Sequence, residues 1–374
     1  MTASGKQNSD INNKYAQLLV HYCLDVKKNE KIFFSSAYLA EPLIREVVKE
    51  IYIAGGIPVL NVELQGIQEL ALQFADADQL SWVNPLRKYV MEHFDAYLNI
   101  RATFEKGGDK EPKDAEKFKI YQKAQQEINK IYFDRIGNGS MKRCLCQYPT
   151  QAAADDAKMT LGEYENFVYQ SCFLYDADPV SRWLEMRKTQ QAYVDYLNKV
   201  DQVHYKGPDI DIRFSVKGRN WINSDGRANM PSGEVFSAPV EDSVNGKVKF
   251  SYPTIYMGKD VVGISLEVKD GLIVSWEADE GKEVLDKVFS VEGARRWGEV
   301  AVGTNYNIQR ITRNILFDEK IGGSIHMAVG QSYKQCGGKN ESTIHWDMIT
   351  DMKNGGEIWA DGIKIYQDGK FLIG

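Results

Sequence analysis

A chain of 374 residues, 43% apolar and 26% charged, has the length for two domains with buried cores and the composition of an ordinary globular protein. Its net charge of -6 argues against general binding to nucleic acid or to an anionic membrane. No run approaches about 18 consecutive apolar residues, so no membrane span is expected, and the polar stretch Met1 to Ile11 lacks the apolar core of a secretory leader.

Five cysteines (Cys23, Cys144, Cys146, Cys172, Cys336) are too sparse for a disulfide scaffold and suit a reducing, cytoplasmic compartment. The first 200 residues alternate two periods. Asn12 to Val26 is helical by spacing, with Leu18, Leu19, Tyr22 and Cys23 on one side. Lys31 to Ser36 is a short apolar run, and Ala40 to Ile53 is helical again. Gly55-Gly56 stops that helix ahead of a strand over Pro58 to Leu64. Ala96 to Arg101 and Arg143 to Tyr148 repeat the pattern. Cys144-Leu145-Cys146 lacks the two-residue gap of a zinc or redox pair and reads as one face of a strand. Lys106 to Phe118 is a charged loop running into a helix, and Leu161 to Val200 holds two helices. Strands separated by helices imply an α/β domain with a largely parallel sheet, over residues 1–200. Neither Gly107-Gly108 nor Gly137 to Gly139 has the G-x-G-x-x-G spacing between strand and helix, which disfavours a nucleotide site.

From about Val203 the pattern becomes strand-rich. Asp209 to Val216, Val235 to Pro239, Lys247 to Ser251, Ile264 to Val268, Leu272 to Glu277 and Glu299 to Gly303 read as strands. Asn245-Gly246 reads as a type I′ hairpin turn, and Lys282 to Gly298 as a helix. Residues 201–374 are therefore expected to form an α+β domain with a mostly antiparallel, barrel-like sheet.

This second half carries the chemistry. His345 and Asp347 stand two apart on a strand and so point to one face. His326 lies among Gly322, Gly323 and Gly330. Glu299 and Glu234 each follow a glycine and lead into an apolar run, which is costly for a carboxylate unless it is paired or coordinated. Three carboxylates and two imidazoles suit a pair of divalent cations. The bland alternatives are satisfied core histidines and a polar strand face. HExxH is absent, which excludes a helix-borne zincin site as the basis of this chemistry. Tyr333 has a phenol that could donate to an oxyanion.

Asn229 to Phe250, Gly298 to Asn305, Phe317 to Tyr333 and His345 to Asp347 resemble, in order and spacing, the thermophilic aminopeptidase family of metallopeptidases. The first half is similar in style, more loosely. The resemblance implies an aminopeptidase acting on peptides with a free N-terminus, through two divalent metal ions (zinc, cobalt, manganese or magnesium). It places metal-ligand roles on Glu234, Glu299, His326, His345 and Asp347, and an active-site role on Tyr333. It also implies a homodimer whose N-terminal domains enclose the site. Glu319 stands seven positions before His326, farther than the extra acidic residue of some members, and is kept as a supporting residue behind the ligands. The resulting expectation is a water activated by two cations, with Glu299 bridging them and Glu234 as general base. The rival readings are another binuclear hydrolase, acting on an amide or phosphate ester, and a non-catalytic metal-stabilised protein.

Overall fold

The computed structural model describes residues 3–106, 114–256 and 258–374, so the glycine pair Gly107-Gly108 and most of the charged loop before Phe118 lie outside the described residues. The chain divides into two compact units, 1–180 with 227–230, and 181–226 with 231–374. The change of pattern near Val200 marks where helices give way to strands.

The first unit alternates helix and strand: α1 (Ala3–Gln17), β1 (Lys31–Ala37), α2 (Glu41–Ile53), β2 (Ile57–Glu63), α3 (Ile67–Phe74), α4 (Ala77–Ser81), α5 (Pro85–His93), β3 (Ala96–Arg101), α6 (Ala115–Gly137), β4 (Lys142–Gln147), α7 (Gln151–Asp156) and α8 (Leu161–Ser171). Pairing is parallel throughout, in the order β2-β1-β3-β4, with Asn229–Met230 added beyond β4. Cys144 and Cys146 are buried on one side of β4. The helices begin where the sequence supplies oxygen caps: Asp114 accepts from the Lys117 amide and Thr160 from the Glu163 amide. Among the described residues no helix is long and apolar enough to cross a membrane.

The second unit opens with most of α9 (Pro179–Leu197) and then runs through β5 (Gln202–Gly207), β6 (Ile210–Ser215), β7 (Ile222–Ser224), β8 (the Asn229–Met230 strand of the first unit), β9 (Glu234–Ser237), β10 (Asn245–Lys249), β11 (Thr254–Tyr256), β12 (Lys259–Val261), β13 (Ser265–Lys269) and β14 (Leu272–Glu277). After α10 (Lys282–Val288) come β15 (Trp297–Gly303), α11 (Ile315–Asp318), β16 (Ser324–Gly330), β17 (His345–Asp351), β18 (Glu357–Ala360), β19 (Ile363–Gln367) and β20 (Lys370–Phe371). Two large antiparallel sheets result, β14-β13-β10-β6-β5-β18-β19-β20 and β17-β16-β15-β9-β7, while β11 and β12 pair as a separate antiparallel ribbon. These two share one core: Tyr205, Phe214, Val248 and Leu266 from the first sheet with Val300, Val302, Met327, Val329 and Met348 from the second.

Three expectations are corrected. The sheets are open, each with two end strands, and neither forms a barrel. Alternation specifies strands but not whether the two ends of a sheet meet. Asn245-Gly246 is not a hairpin turn; both residues pair inside β10, opposite Arg213 and Ile212 of β6. Gly246 is needed there because a Cβ would fall 2.1 Å from the Asp211 carbonyl oxygen, so the glycine marks a close strand approach. The helix expected over Lys282 to Gly298 ends at Val288. Beyond it the chain makes successive turns, with Val291 donating to the Val288 carbonyl and Ala294 to that of Val291, before β15 begins at Trp297.

Candidate metal centre

Strand register brings the candidate ligands together. Gly303 of β15 lies opposite Glu234 of β9, Ala301 opposite His326 of β16, and Glu299 opposite Ala328. Across the next pair, Ala328 faces Asp347 and Gly330 faces His345 of β17. Directly opposed residues share a side of a sheet, and so do alternate residues of one strand. All five candidates therefore project from one face of four adjacent strands. Ala301, Gly303 and Ala328 between them leave room above the sheet, and Phe236 of β9, opposite Ala301, shares this face. The other face carries Val300, Val302, Ile325, Met327, Val329, Trp346 and Met348 into the core, which fixes the register, since a one-residue slip would turn the polar set into the apolar core.

The cluster is tight and largely buried. His326 Nε2 lies 3.4 Å from Glu234 Oε2 and 3.5 Å from Glu299 Oε1. His345 Nε2 lies 3.3 Å from Glu299 Oε2 and 3.6 Å from Asp347 Oδ2. Glu234, Glu299, His326 and Asp347 are buried, while His345 keeps a quarter of its side chain open to solvent. His345 Nδ1 is 2.8 Å from the Gln331 carbonyl oxygen, to which it donates, so in the neutral ring Nε2 is the lone-pair nitrogen facing the carboxylates.

Ligand atoms within 4.8 Å of one another define three groups: Glu234, Glu299 and His326; Glu299, His345 and Asp347; and Glu319, His326 and Asp347. Glu299 belongs to the first two. Glu234 Oε2, Asp347 Oδ1 and both ring nitrogens of His326 are buried with no hydrogen-bond partner. Buried polar atoms are rarely left so, and four of them in one oxygen-and-nitrogen cluster fit divalent cations as the missing partners.

The proton affinities tell the same story. Burial works to raise the Glu299 carboxyl, yet the His326 and His345 imidazoles beside it outweigh burial and hold it down at about 2. Burial disfavours charge on His345, but Asp347 and Glu299 overcome this and push it up to about 10. His326 is raised against its burial by Glu299, Glu234 and Asp347. The Asp347 carboxyl is raised, chiefly by burial. The face is thus arranged to hold positive charge between carboxylates.

Tyr333 follows β16. Its ring centroid is 5.1 Å from that of His345 and 5.6 Å from that of Phe236, and 41% of the residue is exposed. Glu319, expected only behind the ligands, reaches His326 and Asp347. The remaining histidines take no part: His21 pairs with Glu50, His204 with Asp211, and His93 lies beside Glu92.

Two residues escaped sequence reasoning. Gln190 of α9 donates to the Glu234 carbonyl and receives a bond from Thr304, holding β9 and the end of β15 in place. Lys320 is fully buried, with Nζ 3.2 Å from Glu234 Oε1. The only signal for it was a lysine directly after Glu319, which reads as surface charge.

Comparison with known proteins bears on the whole chain. A family model described as thermophilic metalloprotease (M29) matches residues 9–371. Aminopeptidase PepS of Streptococcus thermophilus is 28% identical over 96% of this chain and 97% of its own length. Aminopeptidase T of Thermus thermophilus is 31% identical over 54% of this chain and 55% of its own. Among solved structures, wild-type AmpT from Thermus thermophilus has the same fold, with a TM-score of 0.82 at 22% identity over 98% of this chain and 99% of that one. A match from residue 9 to residue 371 leaves little of the chain outside it: the protein belongs to the thermophilic metalloprotease (M29) family.

Proposed function

We propose that the protein is a metal-dependent aminopeptidase that removes the N-terminal residue of peptides, using the β9-β15-β16-β17 face to hold two divalent cations. The observation that supports this reading is Glu299, whose Oε1 faces His326 and whose Oε2 faces His345, as the two oxygens of a carboxylate shared by two cations would. Membership of a metalloprotease family whose relatives are aminopeptidases supplies the reaction class. Zinc, cobalt, manganese and magnesium all suit these oxygen and nitrogen donors.

One cation would be held by Glu234, Glu299 and His326, and the other by Glu299, His345 and Asp347. When bound, such a pair acidifies water toward neutrality and polarises a carbonyl. The Gln331 carbonyl fixes the tautomer of His345 so that Nε2 faces the cluster. Glu234 is assigned the proton acceptor role, and the Tyr333 phenol the role of donor to the oxyanion that develops on the scissile carbonyl. A site carboxylate would hold the free α-amine, which confines cleavage to the N-terminus. A homodimer in the cytoplasm completes the reading.

The test is release of leucine from a leucyl dipeptide by chelator-treated protein, with and without added Co²⁺ or Zn²⁺. Restoration by metal, abolished when the dipeptide is N-acetylated, is the expected result. Equal cleavage of blocked and free peptides would favour a hydrolase of other amides. No release with any metal would leave the non-catalytic reading.

A further inference from the structure

Lys320 reaches this cluster from the turn after α11, the proposed chemistry does not use it, and its position is costly. Lysine is almost never fully buried unless paired, yet Lys320 has no exposed surface and is among the largest fully buried side chains. Its Nζ contacts two carboxylates from different elements: Glu234 Oε1, at 3.2 Å, at the start of β9, and Glu319, which caps the C-terminus of α11.

The backbone is built to deliver it there. The Lys320 amide donates to the Phe317 carbonyl and its carbonyl accepts from the Asn305 amide, while Gly322 donates back to Asn305. This segment lies against Gly303, the residue opposite Glu234, where a Cβ would fall 2.2 Å from the Ile321 carbonyl oxygen. A side chain at position 303 would push away the stretch that brings Lys320 to Glu234.

We infer that Lys320 is a positioning residue that pins one oxygen of Glu234 so that the other, the one left for the cation and for the proton-acceptor role, is aimed into the cluster. Glu Oε torsions are broad when nothing holds them. With Oε1 engaged by Lys320, Oε2 is fixed 3.4 Å from His326 Nε2, and it is Oε2 that has no hydrogen-bond partner. The ammonium also offsets part of the repulsion among Glu234, Glu299, Glu319 and Asp347, so the donor group is assembled before a cation arrives. This inference rests on the metal-centre reading above.

The test is a Co²⁺ titration of chelator-treated full-length protein, followed by visible absorption and equilibrium dialysis. The variants are Lys320→Met, Lys320→Arg, Glu234→Gln and the Glu234→Gln/Lys320→Met double. Residues supporting a ligand typically contribute ten- to hundredfold in affinity. Lys320→Met is therefore expected to weaken one of two cobalt positions by about ten- to hundredfold, leaving the other within about threefold. Lys320→Arg should recover part of the loss. Because the effect runs through Glu234, adding Lys320→Met to Glu234→Gln should cost nothing further. Should Lys320→Met alone fail to fold, the comparison of the double variant with Glu234→Gln decides. A wild-type titration in folded Lys320→Met, or a further tenfold loss in the double variant, would overturn the inference. Wild-type protein that takes up no cobalt would instead sink the metal-centre reading on which it stands.

Discussion

Replacing Glu299 by glutamine perturbs both proposed cation positions with one near-isosteric change. Each proposed position would have three protein donors, and Glu299 belongs to two of the three donor groups, one at each position. The substitution leaves Glu234 and His326 on one side, and His345 and Asp347 on the other, with a single carboxylate each. Loss of a group that merely supports a ligand costs about ten- to hundredfold in affinity, so loss of a ligand should cost at least about a hundredfold at each position. At about 1.4 kcal/mol per tenfold, that is about 3 kcal/mol at each of two positions from one amide. The shape of the strand is kept, since Glu299 pairs through its backbone with β16 and its neighbours Val300 and Val302 stay in the core. Cobalt titration by calorimetry, with circular dichroism as the fold control, reads the effect directly. A folded Glu299→Gln protein that binds two cobalt ions as tightly as wild type would refute the shared-ligand argument. So would a loss confined to one position with the other untouched.

Glu234→Gln should weaken cobalt binding at one position and, at saturating cobalt, still lower kcat by about a hundredfold or more, the usual range for a lost general base. Steady-state kinetics across a cobalt series separate the two effects, and an unchanged kcat would remove Glu234 from proton transfer. Activity should fall in acid, around the ordinary histidine range of about 6.5, because protons compete with metal for imidazole and carboxylate. His326 and His345 hold their protons above that range when no metal competes, so the acid edge should move to higher pH as metal becomes limiting. A rate that stays flat from about pH 5 to 8 at fixed low metal would contradict this linkage. Away from the site, burial works against the Glu241 carboxylate, but the Lys339 and Glu241 backbone amides and the nearly buried Arg219 outweigh it and hold the carboxyl below its usual range. A depressed carboxyl contributes stability that is present above about pH 4.3 and lost as pH falls through the folded value. Glu241→Gln should therefore cost about 2 kcal/mol near pH 7, a figure between a charged hydrogen bond and a broken buried pair. The gap from wild type in urea midpoints should narrow toward pH 3, and a gap that is the same at both pH values would count against it.

Much of the fold, and the five polar residues that meet on one sheet face, could be read from residue patterns, for identifiable reasons. Glu234, Glu299 and His326 each stand alone among apolar or glycine neighbours, where a polar group is expensive, and the spacing of His345 and Asp347 places both on one strand face. What periodicity cannot supply is register between strands far apart in sequence. That Ala301 faces His326, and Gly303 faces Glu234, is decided by packing of Val300, Val302 and Met327 on the other side of the sheet. The same limit explains Asn245-Gly246, whose dipeptide has a strong turn preference that lost to the pairing of β10 with β6 and β13. Lys320 was invisible because its burial depends on a turn held by Asn305 and on the absence of a side chain at Gly303. Nothing local distinguishes it from a surface lysine.

The central claim is that one sheet face holds two cations and that both serve peptide hydrolysis. Titrating chelator-treated protein with Co²⁺ while following leucine release and bound cobalt together tests it most directly. Two cobalt ions per chain, with activity saturating as the second is bound, is the predicted result. Full activity with one ion per chain, or two ions bound without any release from an unblocked dipeptide, would contradict the account.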